Sequence, residues 1–341
     1  MKTPLISIII VNWNGKRFLK DCFDSLVKQE YKNIEIIFVD NASSDDSVNF
    51  VKKNYSKKLN LKIIKNKENY GFAKANNIGA KIAKGEFLLL LNNDTKVPKN
   101  TLDIIMKEYP KLENPGAVGC ILKNFDGSSQ NKGFEIDQVG YPVGIAEEKM
   151  GSKKHKKIFY PTGAFFFIKK EKYLKLRGLD ENYFMYMEEV DLCWRLLLNG
   201  YNNYALTKCF IYHYGGGTSK FSYNQNNLVT NKLILYQREK NTLNMLIKNY
   251  STINLIKYIP LYLIINCAEI LYWLLKFSPS ISWIYVKSWI WNISKLKNTL
   301  HKRKIIQKKR AVSDKKIKKL QIKSIVKFKL FSKYGFNVQL K

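Results

Sequence analysis

The first 115 residues alternate short apolar runs with apolar positions at helical spacing. The runs are continuous rather than alternating, which is typical of strands buried on both faces. The predicted strands cover residues 5–11, 34–39, 61–64 and 87–91, and the predicted helices cover residues 17–28, 45–55, 71–84 and 99–109. Ser44, with Ser47 nearby, can cap the second helix. Strands alternating with helices in this way predict an α/β fold with a doubly wound, mostly parallel sheet.

Polar side chains follow three of these strands at the point where each strand ends. Asn12 follows the first strand, Asp40 the second, and Asn92, Asn93 and Asp94 the fourth. Because right-handed crossovers bring the carboxyl ends of parallel strands to one edge, we expect these side chains to border one crevice. Side-chain oxygens there can hold a hard cation and, through it, phosphates, but Asn and Asp also favour turns. The residues alone leave a ligand site and a simple turn as alternatives for positions 92–94.

The alternation stops beyond residue 116. We predict a strand at residues 116–122, loops or a mobile flap at 123–158, and a strand at 160–168 that is entered through a turn. Gly163 in that turn either allows close approach of a ligand or marks a strand bulge.

Acidic residues cluster at the start of a helix predicted from residue 188. Glu188, Glu189 and Asp191 can simply complement the positive end of the helix dipole. Aromatic residues at positions 183–186 favour a second interpretation, because a carboxylate walled by aromatic rings can have its pKa raised into the range of a general base. Farther on, His213 ends a short predicted strand and precedes three glycines at 215–217. It is either a packing residue or a metal ligand.

The C-terminal third is apolar and then strongly basic. The formal net charge is +32, and residues 295–341 hold 17 lysines and arginines against one acidic residue. Such a tail is attracted to nucleic acid or to an anionic membrane. A helix predicted at 225–248 and apolar, aromatic-rich helices at 253–293 precede the tail, which favours the membrane. Residues 253–275 are long enough to span a bilayer, but Lys257, Pro260, Asn266 and Glu269 are costly there. We expect helices lying in the interface, with a true membrane span and a soluble helical cap as the alternatives.

The N-terminal apolar run predicts catalysis in the cytoplasm, and the cysteines predict packing residues. The run is too short for the core of a signal peptide. The five cysteines are scattered without a Cys-x-x-Cys pair, which predicts buried free thiols rather than disulfides or metal sites. They are Cys22, Cys120, Cys193, Cys209 and Cys267.

Seven sequence blocks, in order over residues 5–220, resemble family 2 glycosyltransferases of GT-A fold, in particular the rhamnosyltransferase-like members. The blocks are Ser7–Gly15, Val39–Asp45, Asn69–Gly79, Leu91–Thr95, Thr162–Phe165, Met185–Arg195 and His213–Tyr214. The resemblance implies an inverting transfer of a hexosyl or deoxyhexosyl group from a nucleotide-diphosphate sugar to a polysaccharide or polyprenyl-linked acceptor. It also implies Mg²⁺ or Mn²⁺ as cofactor.

The resemblance assigns roles to particular residues. The catalytic candidates are Glu189, Asp191 and Glu188, and Glu189 stands where the family usually has an aspartate base. The metal candidates are Asp94, Asn92 and His213. The candidates for binding the nucleotide-sugar are Asn12, Asp40, Asn69, Gly71, Asn76, Asn93, Gly163 and Arg195. Asparagine rather than aspartate at position 92 removes a charge from the metal site, so we expect modest metal affinity.

The predicted organisation follows from these assignments. Residues 1–220 form the catalytic domain, with a nucleotide-binding half at 1–115 and an acceptor half at 116–220. Residues 221–300 form a helical, membrane-associating extension and residues 301–341 a basic tail. The enzyme would dock on the cytoplasmic face of the cell membrane, where an anionic surface and a lipid-linked acceptor are found.

Competing functions are less favoured by the sequence. No Gly-x-Gly-x-x-Gly follows the first strand and no P-loop motif occurs, which disfavours a dinucleotide oxidoreductase or a P-loop enzyme. A sugar nucleotidyltransferase would carry a Gly-rich, Arg-containing loop where residues 12–16 read Asn-Trp-Asn-Gly-Lys. A nucleic-acid-binding protein acting through the tail, and a partner-binding protein on a decayed transferase scaffold, are further alternatives.

Overall fold

The computed structural model describes residues 3–131, 133–145, 154–215, 223–224, 227–328 and 338–340. The chain divides into two compact units. Unit 1 comprises Met1–Phe134, Gly144–Met185 and Tyr201–Gly217, and unit 2 comprises Glu135–Val143, Tyr186–Gly200 and Thr218–Lys341. This division differs from the predicted one, because the acidic residues at 188–191 belong to unit 2 rather than to the unit that holds the N-terminal strands.

The N-terminal part of unit 1 consists of the predicted strand–helix repeats. Its elements are β1 Ile6–Asn12, α1 Lys16–Val27, β2 Ile34–Asp40, α2 Ser47–Tyr55, β3 Leu61–Lys65, α3 Gly71–Ile82, β4 Phe87–Asn92, β5 Thr95–Lys96 and α4 Thr101–Glu108. The four predicted strands and four predicted helices are all present. The expected cap of α2 is wrong, because the helix starts at Ser47 and Asp45 Oδ1 accepts from the Ser47 amide at 3.1 Å.

The rest of unit 1 contains more strands than the sequence predicts. Its elements are β6 Pro115–Lys123, β7 Ser129–Asn131, β10 His155–Ile158, β11 Phe165–Lys169, α5 Lys170–Lys175 and β12 Asn202–His213. Two further short strands, β8 Phe134–Asp137 and β9 Pro142–Gly144, lie mostly in residues that belong to unit 2. Residues 123–158 are therefore not only loops, although positions 132 and 146–153 lie outside the described residues. The strand that ends at His213 has 12 residues and is not short.

Strand order explains where a ligand site can form. The main path of the sheet runs β10-β12-β6-β11-β4-β1-β2-β3. β1 pairs in parallel with β2 on one side and with β4 on the other, so the direction of winding reverses between β1 and β4. The carboxyl ends of strands at such a switch point border a crevice, which is the usual ligand position in open α/β sheets. β11 is antiparallel to both neighbours, so the sheet is mixed, with a parallel N-terminal part.

The apolar runs form the core of unit 1. Buried side chains from β1, β2 and β4 pack with those of β11 and with the inner faces of α1 and α4. They include Ile8, Ile10, Phe38, Leu89, Leu91 and Phe167. This packing fixes the polar residues that follow the strands.

The prediction of five buried free thiols is wrong for three cysteines. Cys120 and Cys209 form a disulfide between the neighbouring strands β6 and β12. Cys267 is exposed, whereas Cys22 and Cys193 are buried and free as expected. The disulfide was not predicted, because the spacing of the two cysteines in the sequence does not indicate that their strands are neighbours.

Unit 2 is mainly helical. Its elements are α6 Glu188–Leu198, β13 Tyr223–Asn224, β14 Asn227–Thr230, α7 Lys232–Asn249, α8 Thr252–Leu275, α9 Pro279–Ser294, α10 Leu296–Lys308, α11 Asp314–Ile317, β15 Gln321–Ile322 and β16 Val338–Leu340. The helix predicted at 225–248 begins later, at Lys232, because residues 227–230 form β14.

The basic tail is not a free extension. Arg303 Nη1 donates to the Ile247 and Tyr250 carbonyls of α7 and its C-terminus, at 2.6 Å each. Lys327 Nζ lies 2.8 Å from both Glu239 and Glu269. Part of the positive charge of the tail is therefore used inside unit 2 and is not available to an external polyanion.

Candidate active site

The ends of β1 and β2 are joined by hydrogen bonds between side chains. Asn12 and Asp40 are direct partners in the strand register, and Asn12 Nδ2 donates to Asp40 Oδ1 at 3.1 Å. The same carboxylate accepts from the Ser43 hydroxyl at 2.6 Å and from the Ser43 amide at 2.9 Å. Asp40 is buried, so these donors compensate for its lost hydration. The carboxylate is held in one orientation before any ligand binds.

A cleft opens beside this pair. It has a volume of about 450 Å³, and its lining includes Asp40, Ala42, Ser43, Lys65 and Asn66. Asn14 Oδ1 supports the cleft loop by accepting from the Ser44 amide at 2.8 Å. Asn14 and Ala42 both have positive φ, at 49° and 57°, which is unusual for residues other than glycine.

Asn93 extends the hydrogen-bonded group to the end of β4. Its Nδ2 donates to Asn12 Oδ1 at 2.7 Å. A Cβ on Gly15 would come within 2.5 Å of Asn12 Oδ1, so only glycine leaves room for this bond. Asn12, Asp40 and Asn93 are thus brought together at the switch point, as the topology predicts. Asn92 is half-buried and is the last residue of β4.

Asp94 and His213 meet on the same edge. β12 pairs antiparallel with β5, which places His213 opposite Thr95. His213 Nε2 lies 3.3 Å from Asp94 Oδ1, and His213 Nδ1 lies 2.8 Å from Gln130 Oε1. Because Gln130 Nε2 donates to Asn124, Oε1 is the atom that faces the histidine, and it can only accept. Nδ1 therefore carries a proton, and Nε2 faces the carboxylate either as a lone pair or protonated.

The Asp94 carboxylate is suited to a cation. Asp94 is buried, and its Oδ1 has no hydrogen-bond partner in the described part of the chain. A carboxylate oxygen and an imidazole nitrogen that face each other need a proton or a metal ion between them. In the described ranges no three His, Cys, Asp or Glu residues are arranged so that they could hold a metal ion together, so a metal would depend on neutral oxygen ligands as well.

The remaining nucleotide-sugar candidates of unit 1 have local structural contacts. Asn69 Oδ1 accepts from the Gly71 amide at 3.0 Å, and Gly71 has φ of 76° with no room for a Cβ beside the Phe184 carbonyl. Asn76 is buried and donates to the Phe72 carbonyl inside α3, a contact that holds its amide in the helix. Gly163 lies in the turn before β11, where the neighbouring Ala164 carbonyl accepts from the Asn92 amide at 3.1 Å.

The acidic candidates open α6 after a strained turn. Tyr186 and Met187 precede the helix with φ of 67° and 70°, values that cost energy for residues with side chains. Asn241 of α7 donates its Nδ2 to the Tyr186 carbonyl at 2.7 Å, and the Arg238 guanidinium lies 5.4 Å from the centre of the Tyr186 ring. α7 therefore holds the strained turn in place.

Glu188 and Glu189 form a coupled acidic pair. Glu188 is 4% exposed and Glu189 is half-buried, and Oε2 of each has no hydrogen-bond partner among the described residues. Burial and the charge of Glu189 raise the pKa of Glu188 well above its usual range. Burial also raises the pKa of Glu189, while the positive charge of Arg238 opposes the increase. Burial therefore favours the protonated form of both carboxyl groups, and the increase in pKa is larger for Glu188.

A buried lysine accompanies this pair. Lys240 of α7 is buried, with its Nζ 4.6 Å from the ring centre of Trp291. Burial lowers the pKa of Lys240 to about 8, and the charge of Glu188 opposes the decrease. The pair thus has two cationic neighbours on α7, Arg238 and Lys240.

The structure argues against two of the predicted site roles, those of Asp191 and Arg195. Asp191 is fully buried, and its Oδ2 accepts from Arg195 Nε at 2.9 Å. Its Oδ1 lies 3.0 Å from Lys248 Nζ and accepts from Asn249 Nδ2 at 2.9 Å. A carboxylate neutralised in this way is a poor base, and a buried guanidinium in the same ion pair is not placed to bind a nucleotide. Asp191 joins α6 to the C-terminal end of α7, and Arg195 neutralises it from within α6.

Sequence analysis missed the residues that support these groups. Ser43, Gln130, Arg238, Asn241 and Lys248 were not predicted as part of the site. Ser43 lies in a quoted sequence block, so its position could have indicated it. The other four lie in stretches whose only signal was helical spacing or irregularity, and their partners are 52 to 83 residues away.

Comparisons with known proteins agree with the fold. The family described as Glycosyl transferase family 2 matches residues 7–177. Glycosyltransferase GlyG of Streptococcus pneumoniae serotype 4 (strain ATCC BAA-334 / TIGR4) is 26% identical over 175 residues, which cover 50% of this chain and 58% of GlyG. An uncharacterized glycosyltransferase of Haemophilus influenzae (strain ATCC 51907 / DSM 11121 / KW20 / Rd) is 29% identical over 241 residues, which cover 69% of this chain and 76% of that protein.

Two solved structures extend the comparison. S. aureus TarS 1–349 in complex with UDP has a TM-score of 0.51 at 18% identity, over 72% of this chain and 66% of that chain. The mannosyltransferase PcManGT from Pyrobaculum calidifontis, in complex with GDP-Man and Mn²⁺, has a TM-score of 0.54 at 15% identity, over 90% of this chain and 86% of that chain. At these identities the likeness concerns the fold alone. It confirms the predicted mixed α/β architecture with a largely parallel central sheet, which fits the GT-A type.

The family match covers half of the chain and includes the strand ends at Asn12, Asp40 and Asn92–Asp94. Five of the seven sequence blocks quoted above lie inside the same range. The chain belongs to glycosyl transferase family 2.

Proposed function

We propose that this protein is a metal-dependent, inverting glycosyltransferase that moves a hexosyl or deoxyhexosyl group from a nucleotide-diphosphate sugar to a hydroxyl of a glycan or lipid-linked acceptor. The observation that carries the proposal is the Asp94–His213 pair at the switch point of the sheet, next to the Asn12–Asp40 pair. A nucleoside diphosphate requires a site for the cation on its phosphates and a polar cleft for its base or ribose, and these two pairs can provide both. A rhamnosyltransferase-like donor preference and a role in polysaccharide synthesis at the cytoplasmic face of the membrane stay predictions.

The donor would bind along the edge of unit 1. The cleft beside Asp40 would take the base or ribose, with the Asp40 carboxylate accepting from a donor hydroxyl or ring N–H. Asp94 and His213, with Asn92 as a neutral oxygen ligand, would hold Mg²⁺ or Mn²⁺. When bound, the cation neutralises the leaving diphosphate as a Lewis acid. The buried Oδ1 of Asp94 supports this assignment, because it faces His213 Nε2 at 3.3 Å and has no other partner in the described ranges.

Glu189 is the proposed base. Its Oε2 is buried and has no hydrogen-bond partner in the described ranges, so no donor competes for this oxygen, while the side chain as a whole is half-buried. The raised pKa makes its carboxylate a stronger proton acceptor than an ordinary glutamate. Glu188 is the second candidate, but its own pKa is raised further, so it is more often protonated.

The proposed reaction is a single displacement in which every bond and proton is accounted for. The acceptor oxygen attacks the anomeric carbon from the face opposite the leaving group, as the bond from that carbon to the diphosphate oxygen breaks. The hydroxyl proton passes to Glu189, and the bonding electrons leave with the nucleoside diphosphate. One displacement inverts the anomeric configuration and needs no covalent intermediate on the protein.

Donor binding and turnover can be tested separately. UDP-, dTDP- and GDP-sugars are screened for thermal stabilisation with and without Mn²⁺, because a ligand at 100 times its Kd adds about 2.7 kcal/mol to stability. Release of nucleoside diphosphate by the stabilising donor is then measured. We expect Asp94→Ala to abolish the Mn²⁺-dependent stabilisation, and Glu189→Gln to keep it while losing turnover.

Two outcomes would contradict the proposal. Full activity of both variants with the same donor would show that neither residue has the proposed role. Metal-dependent nucleotide binding without any turnover, across a wide range of acceptors, would favour a partner-binding protein on a transferase scaffold.

A further inference from the structure

The longest apolar helix of unit 2 places polar side chains toward the interior of the unit and apolar side chains toward the outside. α8 is the one helix in the described ranges that is long and apolar enough to cross a membrane. The side of α8 packed inside unit 2 carries Tyr258, Tyr262, Asn266 and the half-buried Glu269. The outward side carries isoleucines and leucines. A helix in water normally places these residues the other way round.

The inward polar residues are satisfied inside unit 2. Tyr262 donates its hydroxyl to Glu239 at 2.7 Å, and Asn266 Nδ2 donates to the same carboxylate at 3.2 Å. Lys327 neutralises both Glu239 and Glu269 at 2.8 Å. Two of the four residues that made a membrane position of this helix costly in the sequence, Asn266 and Glu269, are therefore turned away from the outward side, whereas Lys257 and Pro260 are exposed.

The outward side forms a continuous apolar stripe. Its residues on α8 recur every three, four, seven or eight positions, so they lie along one line over a helix about 36 Å long. Exposure is high along the stripe, at 81% for Ile253, 63% for Ile264 and 94% for Phe277 just beyond the helix. α9 packs beside α8 and adds exposed apolar residues of its own. We name this surface the docking face; its residues are Ile253, Ile256, Ile264, Leu271, Leu275, Phe277, Trp283, Ile290 and Ile293.

The charges around the docking face have one sign. Lys257, Lys276 and Lys287 are exposed on and between α8 and α9, and Lys295 follows at the end of α9. Glu269, the acidic residue between positions 252 and 294, is neutralised on the inward side. An apolar stripe bordered by lysines is complementary to a surface that has anionic groups above an apolar interior.

We propose that the docking face of α8 and α9 binds the surface of an anionic lipid bilayer, with both helices lying in the interface. Isolated apolar side chains on a protein surface are ordinary, but a continuous stripe of this length is not. One side of α8 remains bonded to the charged groups of unit 2, so the bilayer contacts only the opposite side. This inference is independent of the proposed catalytic function.

The test uses the full-length protein and vesicles of phosphatidylcholine with or without phosphatidylglycerol. Ile256→Ser, Ile264→Ser and Leu271→Ser are combined in one variant, and all three residues are exposed, so folding should be unaffected. We expect cosedimentation with anionic vesicles to weaken at least tenfold, since each apolar side chain contributes roughly a factor of ten or more when buried. The matched control combines Ile82→Ser and Leu174→Ser, which are 41% and 47% exposed on unit 1 and should bind like the wild type.

A charge variant separates the two contributions. Combining Lys257→Ala, Lys276→Ala and Lys287→Ala should weaken binding to anionic vesicles by about fivefold per lysine, and should not affect the weaker binding to neutral vesicles. Thermal unfolding midpoints equal to that of the wild type would show that each variant is folded.

Three results would overturn the proposal. The first is equal cosedimentation of the wild type and the apolar variant. The second is a wild-type dimer that the apolar variant converts to a monomer, without vesicle binding by either, which would make a second copy the occupant of the face. The third is resistance of the membrane-bound protein to alkaline carbonate extraction, which would show that α8 crosses the bilayer.

Discussion

The two groups of candidate site residues differ in how they are held. At the sheet edge of unit 1, neutral amides and hydroxyls fix the Asp40 carboxylate through several short hydrogen bonds. At the start of α6 in unit 2, two carboxylates carry unpartnered oxygens after a turn with two residues of positive φ. The Asp40 group at the sheet edge is therefore built from satisfied polar groups, whereas the start of α6 combines unpartnered carboxylate oxygens with backbone strain.

This difference fits the two proposed functions, donor binding at the sheet edge and proton transfer at the start of α6. A binding surface gains affinity when its groups are already oriented, because less entropy is lost when the ligand arrives. A general base needs a pKa nearer to the working pH than an ordinary carboxylate has, and burial next to another acid raises it. Strain and charge are stabilised elsewhere, here by the α7 residues Asn241 and Arg238.

The largest expected effect comes from removing the proposed base. Glu189→Gln should lower kcat by about 10²–10⁴-fold, the usual contribution of a general base, and leave donor stabilisation unchanged. The matched variant Glu188→Gln should retain most activity, because glutamine resembles the protonated form that Glu188 already prefers. Steady-state kinetics with one donor and acceptor measures both. The reverse ranking of the two variants would make Glu188 the base.

The next effect concerns the ion pair below the acidic turn. Lys248→Met leaves the fully buried Asp191 without one of its two cations, which should lower the free energy of unfolding by about 3–5 kcal/mol. Urea denaturation measures the change. Lys99→Met is the control, because the Lys99–Glu30 pair is exposed and should contribute little. Equal destabilisation by both substitutions would show that the buried network does not support α6.

A smaller effect is expected at the sheet edge. Ser43→Ala removes the hydroxyl that donates to Asp40 at 2.6 Å, and should cost about 1–2 kcal/mol in donor binding or stability. Isothermal titration with the best donor measures the loss of donor binding, and thermal unfolding measures the loss of stability. Ser44→Ala is the control, since its hydroxyl contacts only the exposed Asn14 side chain in the described ranges. A Ser43 variant indistinguishable from the Ser44 variant would show that Asp40 needs no preorganisation.

The smallest effect is a shift in pH dependence. The base must be ionised, so activity rises as the pH passes through the pKa of Glu189. Burial raises this pKa, and the positive charge of Arg238 partly opposes the increase. Glu188 and Lys240 are the other charged neighbours. Arg238→Ala removes a positive charge, raises that pKa further and moves the acidic limb of the rate profile to higher pH. Arg238→Lys keeps the charge and should keep the wild-type limb. A limb that moves to lower pH in Arg238→Ala would contradict the assignment.

Local sequence patterns were sufficient for the strand–helix repeats and for one half of the site. Continuous apolar runs define β1, β2 and β4, and their parallel winding alone brings Asn12, Asp40 and Asn93 together. The acidic cluster at the start of α6 was predicted from the proximity of Glu188, Glu189 and Asp191 in the sequence. The different protonation and ion pairing of each carboxylate was not predicted. That state depends on which cations lie nearby, and those are on a helix more than 40 residues later.

Other features depended on long-range pairing that no local pattern encodes. His213 reaches Asp94 only because β12 continues far enough to pair with β5. The Cys120–Cys209 disulfide requires β6 and β12 to be neighbours. The direction in which Asn266 and Glu269 face depends on Lys327, a residue that sequence analysis assigned to a basic tail.

Lys327 has a consequence for the order in which the protein is made. Translation proceeds from the N-terminus, so Glu239 and Glu269 leave the ribosome before the lysine that lies 2.8 Å from each of them. Until then, burying either carboxylate would leave an uncompensated charge, which costs several kcal/mol. We therefore expect the packing around Glu239 and Glu269 to be completed only after Lys327 has been synthesised, and a polypeptide that stops before residue 327 to lack this neutralisation.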